Sequence, residues 1–157
     1  MKRSAPINVA TLYTLYSKRP RYTIDGSNRI MLPSEWRVDG APDRFFVILS
    51  PSEDHLKICP PQAFEGFLDE LRRDTADKTQ IPELERELND RVRQVSLDRF
   101  GRLPLPREFT DKAGIEKHGE IVGRFSKFEF WACDKREKQR AARQETAATL
   151  DRKLLTL

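Results

Sequence analysis

The sequence predicts a fold of the α+β class, mainly β, in which two copies of one ββαββ module are joined by linking helices and followed by a C-terminal helix. A repeated segment is the main observation: YTIDGSNRIMLPSEW at 22–36 returns as VSLDRFGRLPLPREF at 95–109, an offset of 73 residues. Strand-like apolar runs follow each copy, whereas residues 61–91 change to helical spacing. Self-similarity with these two periodicities indicates a duplicated module with helices between its copies.

The matches within the repeat are concentrated in a turn and the step after it. The equivalent pairs are Asp25 with Asp98, Arg29 with Arg102, Leu32 with Leu105, Pro33 with Pro106, Glu35 with Glu108, and Trp36 with Phe109. Residues that form β-strands lead into DGSN and DRFG, whose composition is typical of chain reversal. Asn28 and Gly101 occupy equivalent positions in the two turns, and both residue types tolerate the positive φ that a tight hairpin needs.

A short helix is predicted after each hairpin. Pro33 and Pro106 lie where these helices begin, because proline suits the first turn, and Gly40 and Gly114 lie where they end. Glu35 and Glu108 then fall in the first turn, where an acid is favourable for the helix dipole. Two strands are predicted next in each copy, and their sequences are FFVIL (45–49) and HLKICP (55–60) in the first copy and EIVGRF (120–125) and KFEFWAC (127–133) in the second.

Four segments are expected along the chain. Their ranges are 16–75 for the first repeat with its following helix, 76–92 for a linking helix, 93–140 for the second repeat, and 141–157 for a C-terminal helical tail. Phe64, Phe67, Leu68 and Leu71 follow one another at helical spacing, and a second helix is expected after Pro82. From Asp134 onward the sequence is rich in charge and alanine, which favours a helix with a weak apolar stripe.

Charge is distributed unevenly along the chain, although the net charge is only +4. Residues 1–29 have six Lys/Arg against one Asp, and residues 91–109 have five Arg against two acids, whereas residues 60–90 have nine acids against four bases. No apolar run approaches the length of a spanning helix, and the first residues lack the apolar core of a signal peptide. A cytoplasmic protein without membrane contact is therefore expected.

An enzyme would need a convergent set of reactive groups, and the sequence offers little of this kind. His55 and His118 are the only histidines, and neither has a metal-ligand spacing around it. Cys59 and Cys133 lie 74 residues apart, so both are expected to pack as small apolar residues. No phosphate-binding glycine motif or catalytic triad is present. We therefore expect no catalytic residue, no metal, no cofactor and no small-molecule substrate.

The Asp-x-x-x-Arg pairs are the strongest candidates for function. In a hairpin the aspartate can accept N–H groups of the turn, while the arginine projects a planar fork that suits phosphate and guanine. A single such pair also fits a local ion pair that only stabilises its turn. Two copies flanked by further bases favour a nucleic-acid contact, and the expected DNA-binding residues are Asp25, Arg29, Asp98, Arg102, Lys18, Arg19, Arg21 and Arg99.

The paired motifs DGSNRIMLP and DRFGRLPLP resemble those of the MraZ family of bacterial transcriptional regulators, and the resemblance covers roughly residues 16–140. It implies a double AbrB-like swapped-hairpin barrel, several chains closing into a homo-oligomeric ring, and binding to short DNA repeats at the promoter of the division and cell-wall gene cluster, generally as a repressor. The family's DNA contacts match Asp25, Arg29, Asp98 and Arg102. We expect the two aspartates to orient the turns without touching DNA. The sequence departs from the family in having Asn28 where glycine is usual and about fifteen extra residues before the usual start.

Two other functions are compatible with parts of the sequence. An AbrB-type antitoxin would usually contain one module per chain, which the duplication argues against. A scaffold protein would use residues 61–90 and the tail at 134–157 to bind partners, and it would not protect duplex DNA from its own upstream region. The helices at 61–90 and the region of Trp131 are also candidates for contacts between chains, although for Trp131, Phe64 and Phe67 we expect core packing first.

Overall fold

The computed structural model describes residues 21–157, which form eight strands and five α-helices in those residues. The strands are β1 (Arg21–Thr23), β2 (Arg29–Met31), β3 (Arg44–Leu49), β4 (His55–Cys59), β5 (Val92–Ser96), β6 (Arg102–Pro104), β7 (His118–Arg124) and β8 (Lys127–Ala132). The helices are α1 (Pro61–Asp74), α2 (Ile81–Asp90), α3 (Arg107–Lys112), α4 (Cys133–Ala141) and α5 (Gln144–Leu154), and two 3-10 turns cover Ser34–Trp36 and Lys78–Gln80. The mixed α and β class is confirmed.

All strand pairs are antiparallel and fall into two sheets. The larger sheet has six strands in the order β1-β7-β8-β4-β3-β5 and curls into a half-barrel, and the smaller one pairs β2 with β6. Both sheets combine strands from the two sequence repeats, since β1 pairs with β7, β2 with β6, and β4 with β8. The repeats are therefore units of sequence, while each sheet is built from both.

The hydrophobic core lies between the two sheets and the short helices after the hairpins. Ile30 and Leu103 are directly opposite each other in the small sheet, and both are fully buried. The ring of Trp36 packs on Phe128 with 5.0 Å between centroids, and Phe45 meets the same ring at 5.6 Å. Apolar residues at alternate positions of these strands thus converge from both repeats, as half-buried antiparallel strands require.

The segment between the repeats forms two helices, as the apolar spacing predicted. α1 begins after Pro60 and packs on β3, where Phe64 stacks on Phe46 with 4.2 Å between ring centroids. Arg72 of α1 pairs with Glu85 of α2 at 3.2 Å, which ties the two helices together on their exposed sides. Phe67 is 47% exposed, so its expected place in the core was wrong. Its ring lies beside that of Phe64, with 6.3 Å between centroids.

The short helices after the hairpins begin as predicted and differ in length. Pro33 and Pro106 are the N-cap residues, and Gly114 follows the end of α3 with a φ of 70°. In the first repeat the helix is only the 3-10 turn Ser34–Trp36, so Gly40, with a φ of 84°, belongs to a later turn. The prediction that Gly40 ends a helix was therefore wrong, because i to i−3 hydrogen bonds replace the helical ones after Pro33.

The tail is helical but is divided into α4 and α5. Lys135 donates to the carbonyl of Ala113 at 2.8 Å and Arg140 pairs with Glu120 at 2.6 Å, so α4 is tied to the second repeat. α5 buries no residue. The break between the two helices separates the anchored part of the tail from the solvated part. Between residues 21 and 157, no helix combines the length and the apolar character needed to cross a membrane.

Candidate nucleic-acid interface

The first turn, residues 25–29, is organised by one carboxylate. Asp25 Oδ1 accepts the backbone N–H groups of Ser27 and Arg29, both at 2.9 Å, and Oδ2 accepts Nε of Arg29 at 2.9 Å. Backbone hydrogen bonds close the hairpin, because Asp25 N donates to Arg29 O at 3.0 Å and Asn28 N to Asp25 O at 3.0 Å. Asp25 therefore fixes both the chain reversal and the direction of the guanidinium group.

The second turn, residues 98–102, repeats this arrangement. Asp98 Oδ1 accepts the N–H groups of Phe100 and Arg102 at 2.9 Å, and Oδ2 accepts Nε of Arg102 at 2.7 Å. Asn28 and Gly101, the equivalent fourth residues, have φ values of 60° and 82°. The predicted positive φ at both positions is confirmed, and so is the acceptance of turn N–H groups by each aspartate. Each arginine also donates its Nε–H to its own aspartate.

The small sheet brings the two turns together. In its register Arg29 is opposite Pro104 and Met31 is opposite Arg102, so the local twofold relation passes between Ile30 and Leu103. Arg29 Nη1 consequently lies 3.5 Å from Oδ2 of Asp98, and Arg102 Nη1 lies 4.0 Å from Oδ2 of Asp25. The two turns thus form one four-residue cluster of Asp25, Arg29, Asp98 and Arg102, which we call the paired-turn cluster.

The aspartates of the paired-turn cluster are held in their charged form. Desolvation acts to raise the pKa of Asp25, but hydrogen bonds from the N–H groups of Arg29 and Ser27 and from the Arg29 side chain bring it below 3.8. Desolvation likewise opposes the shift at Asp98, and the backbone and side chain of Arg102 lower the pKa of Asp98 below the same value. Both carboxylates are therefore available to orient arginines at neutral pH.

The cluster is partly open to solvent. The side chains of Arg29 and Arg102 are each 29% exposed, which leaves part of each guanidinium accessible to a ligand. Two arginines and two aspartates have no net charge, so attraction for an anionic partner must come from bases around them. Arg99 is one such residue, because it lies exposed within the second turn.

Three of the predicted basic residues cannot be placed as side chains. Lys18 and Arg19 lie outside the described residues 21–157. Arg21 lies in β1, where its backbone pairs with Glu120, and its side chain is not described. Their proposed role in DNA binding stays a prediction.

The two turns differ in how one carbonyl group is satisfied. In the first turn Asn28 Nδ2 donates across the small sheet to the carbonyl of Leu105 at 2.8 Å and to Oγ1 of Thr110 at 3.1 Å. The equivalent carbonyl, that of Leu32, instead accepts Nε of Arg37 at 3.1 Å.

Arg37 occupies the place equivalent to Thr110, and it passes directly over Gly101. A Cβ added at Gly101 would lie 2.4 Å from Cδ of Arg37. The sequence showed Asn28 in place of a glycine but gave no sign of this exchange, because residue 37 is far from residue 101 along the chain.

The tips of the turns also differ. The first has Gly26 and Ser27, and the second has Arg99 and Phe100 at the equivalent positions. The ring of Phe100 is 53% exposed, and the guanidinium carbons of Arg99 and Arg102 lie 4.8 Å and 4.9 Å from its centroid. Sequence analysis did not single out Phe100, although an aromatic residue at a turn tip is itself a signal.

A second polar cluster lies away from the turns, around His55. Its ring stacks on Trp131 with 4.1 Å between centroids, Nδ1 lies 2.6 Å from Oδ1 of Asp54, and Nε2 lies 3.4 Å from Oε2 of Glu129. Desolvation opposes the shift at Glu129, but the neighbouring His55 ring, the hydrogen bond that Trp131 Nε1 donates and the nearby charge of Arg124 lower the pKa of Glu129 to about 2.

Trp131 is buried at 4% exposure, which agrees with core packing for its ring. Within residues 21–157 no group of three or more His, Cys, Asp or Glu side chains is arranged to hold a metal ion.

Comparison with known proteins gives several relatives. A protein of Mycoplasma mobile named transcriptional regulator MraZ is 32% identical over 116 residues, which cover 74% of this chain and 78% of the relative. Proteins of the same name from Treponema denticola and Pelodictyon phaeoclathratiforme are 31% and 30% identical, over 74% and 72% of this chain and 81% and 80% of their own lengths. No family model matches the chain.

Proposed function

Because the chain belongs to the MraZ family of transcriptional regulators, we propose that it acts by binding double-stranded DNA sequence-specifically through its paired-turn cluster. The observation that supports this most is the pairing of the two turns. Each aspartate orients its own arginine and lies within 4.0 Å of the other turn's arginine. Two guanidinium groups are thereby presented together in fixed directions.

Arginines held in this way suit a DNA surface. A planar guanidinium can make two parallel hydrogen bonds with O6 and N7 of guanine or with phosphate oxygens, and it keeps its charge at any physiological pH. Because Asp25 and Asp98 fix the arginines before DNA arrives, little side-chain entropy is lost on binding. We propose that Arg29 and Arg102 contact DNA and that the two aspartates position them.

The finer parts of the proposal concern assembly and target. The swapped pairing of β1 with β7 and of β2 with β6 suits a double AbrB-like barrel made by one chain. We propose that several chains close into a ring that engages short repeats at the promoter of the division and cell-wall gene cluster, as a repressor associated with the nucleoid. Neighbouring chains would hold successive clusters on one duplex at high effective concentration, so affinity should rise steeply with the number of repeats.

The direct test is footprinting of the protein on the DNA upstream of its own gene, combined with affinity measurements at several salt concentrations. The variants Arg29→Ala and Arg102→Ala should each weaken specific binding while leaving the circular dichroism spectrum unchanged. Loss of a phosphate contact should reduce the slope of log K against log salt by about 1, and loss of a base contact should cost about 1–3 kcal/mol and relax specificity.

Arg152→Ala provides the matched control, since it removes an exposed cation of α5, a helix that buries no residue. It should leave affinity and salt dependence unchanged. If the double variant of Arg29 and Arg102 binds as tightly as the wild type, the paired-turn cluster is not the DNA contact. Light scattering with and without DNA, with duplexes of one, two and three repeats, tests the ring: a monomer that binds one repeat as tightly as three contradicts it.

A further inference from the structure

We propose that Phe100 makes the second turn a thymine-reading element, in which the exposed ring contacts the 5-methyl group of a thymine beside the base or phosphate that Arg102 contacts. The inference rests on the proposed DNA binding of the paired-turn cluster. It adds a residue that determines specificity and a difference between the halves of the DNA site, neither of which follows from the Asp-x-x-x-Arg motifs.

The position of the ring is the first argument. Phe100 lies at the tip of the second turn, its backbone N–H donates to Oδ1 of Asp98 at 2.9 Å, and its side chain is 53% exposed. Any partner that reaches Arg102 must therefore come close to this ring, because the guanidinium carbon of Arg102 is 4.9 Å from the ring centroid.

The fixed orientation of the ring is the second argument. Arg99 and Arg102 both lie against it, at 4.8 Å and 4.9 Å. A guanidinium group over an aromatic face is attracted by the negative face of the ring, and this interaction is favourable at exposed sites. Phe100 thus contacts two cations without being buried, so the ring is presented as an apolar surface within a basic one.

The first turn shows that the backbone does not require this aromatic residue. Ser27 occupies the equivalent position, and its N–H makes the same 2.9 Å hydrogen bond, here with Asp25. The turn geometry is thus preserved with a small polar residue. Phe100 is 53% exposed, so much of its apolar ring remains available to a partner in addition to its contacts with Arg99 and Arg102.

The chemistry of the major groove identifies the partner group. Base edges there present hydrogen-bond donors and acceptors, and thymine adds to its O4 acceptor an apolar 5-methyl group, which is a known contact for phenylalanine. An arginine that pairs with guanine leaves the neighbouring base within reach of a ring about 5 Å away. Insertion of the ring between base steps is the other contact open to a phenylalanine, but it would require the ring to leave both guanidinium groups.

The proposal predicts an asymmetric DNA site. The half contacted by the second turn should require thymine at one position, and the half contacted by Ser27 should not. The experiment is selection of duplexes from a randomised pool by the wild type, Phe100→Ser and Phe100→Leu, followed by affinity measurements on the selected wild-type duplex. Each thymine of that duplex is then replaced singly by deoxyuridine, which lacks only the methyl group.

For the wild type, one deoxyuridine substitution should lower affinity about five- to tenfold, the range of a modest base-specific contact. Phe100→Ser should bind the unmodified duplex about as weakly as the wild type binds the deoxyuridine duplex. Its affinity should not change with the deoxyuridine substitution, whereas Phe100→Leu should still lose some affinity when the methyl group is removed. The salt slope should not change in either variant, since no charge is removed. The reciprocal variant Ser27→Phe should acquire a thymine preference in the other half of the site.

The outcomes separate the two proposals. If the wild type enriches no sequence and binds all duplexes alike, the proposed sequence-specific function fails. If the wild type binds a defined site but each deoxyuridine substitution changes its affinity no more than it changes that of Phe100→Ser, sequence-specific DNA binding stands and thymine reading is overturned. A third outcome also overturns thymine reading. If 2-aminopurine placed in the duplex becomes more fluorescent only with proteins that contain Phe100, and affinity does not depend on the thymine methyl group, the ring is inserted between bases.

Discussion

The first and second turns have the same backbone and the same Asp–Arg pairing, and they differ in which side supplies the donor for one buried carbonyl. At the first turn the donor is the turn residue Asn28, and the residue opposite it is the small Thr110. At the second turn the donor comes from the opposite side, because Arg37 reaches the carbonyl of Leu32 and Gly101 leaves room for it. The hydrogen bond is retained, and the residue that makes it has been exchanged.

The comparison shows that the chemical requirement belongs to the carbonyl rather than to any one side chain. A buried carbonyl without a donor is costly, so one of the two facing positions must provide one. Where Arg37 supplies the donor, the turn residue that faces it must be a glycine, which is Gly101. Where Asn28 supplies the donor, the residue that faces it must have a short side chain, as Thr110 has.

Breaking the second arrangement should have the largest effect. In Gly101→Ala the new Cβ would lie 2.4 Å from Cδ of Arg37, and the residue would have to adopt a φ of 82°. Displacement of Arg37 leaves the carbonyl of Leu32 without its donor, so we expect a loss of about 1–3 kcal/mol in the free energy of unfolding, measured with urea. Gly26→Ala is the control, because a Cβ there has nothing within 4 Å, and unchanged stability in both variants would contradict the packing argument.

Substitution of an aspartate tests whether the Asp–Arg pairing, which both turns have in common, is required for DNA binding. In Asp98→Ala the N–H groups of Phe100 and Arg102 lose their acceptor and Arg102 loses its orienting partner. We expect DNA affinity to fall about tenfold, even though removal of a negative charge near phosphate should strengthen binding by itself. Asp98→Asn retains an acceptor oxygen and should fall much less. Tighter binding by the alanine variant would show that Asp98 has no positioning role.

Transferring the residue pair of the first turn to the second should have a smaller effect on stability. The double variant Gly101→Asn with Arg37→Thr copies the pair Asn28 and Thr110 into the second turn. It should be more stable than the sum of its single variants predicts, by a coupling energy of about 1 kcal/mol in a double-mutant cycle, since the residues are in contact. Additive behaviour would mean that the two positions do not share the carbonyl of Leu32.

Titration of Asp25 and Asp98 compares the two turns at a single group in each, and it has the smallest expected effect. The pKa values of Asp25 and Asp98 are lowered below 3.8, so their contribution to stability is present above that pH and is lost as the pH falls through the lower folded values. Carbon-detected NMR of the carboxyl groups should give a midpoint below 3.8 for both. A normal midpoint at one aspartate would show that its turn is not closed by the hydrogen bonds described.

Much of each turn could be predicted from the sequence because its causes are local. These causes involve neighbours along the chain: the positive φ at Asn28 and Gly101, the proline N-caps, and the hydrogen bond that each arginine donates to the aspartate four residues before it. The contact of Arg29 with Asp98 could not be predicted, because it depends on the register of β2 against β6.

The same limit applies to the region around His55. No metal or catalytic spacing surrounds His55 in the sequence, and the structure nevertheless places Oε2 of Glu129 3.4 Å from Nε2 of His55. Residues 55 and 129 come together only because β4 pairs with β8. Exposure of Phe67 and of Phe100 escaped prediction for a related reason, since apolar residue type alone does not indicate which side chains face the core.

The exchange of strands between the repeats has a consequence for how the chain acquires its structure. Among the strands of residues 21–157, β1 pairs only with β7, so Arg21 must meet Glu120, and β2 pairs only with β6. Contacts between such distant residues form slowly, because a long loop must close before they contribute any stability. A ribosome that has released only the first half of the protein therefore holds a nascent chain whose first two strands have no partner. The paired-turn cluster can be completed only after β6 emerges, so a chain truncated before β6 lacks both the second turn and the strand that orders the first.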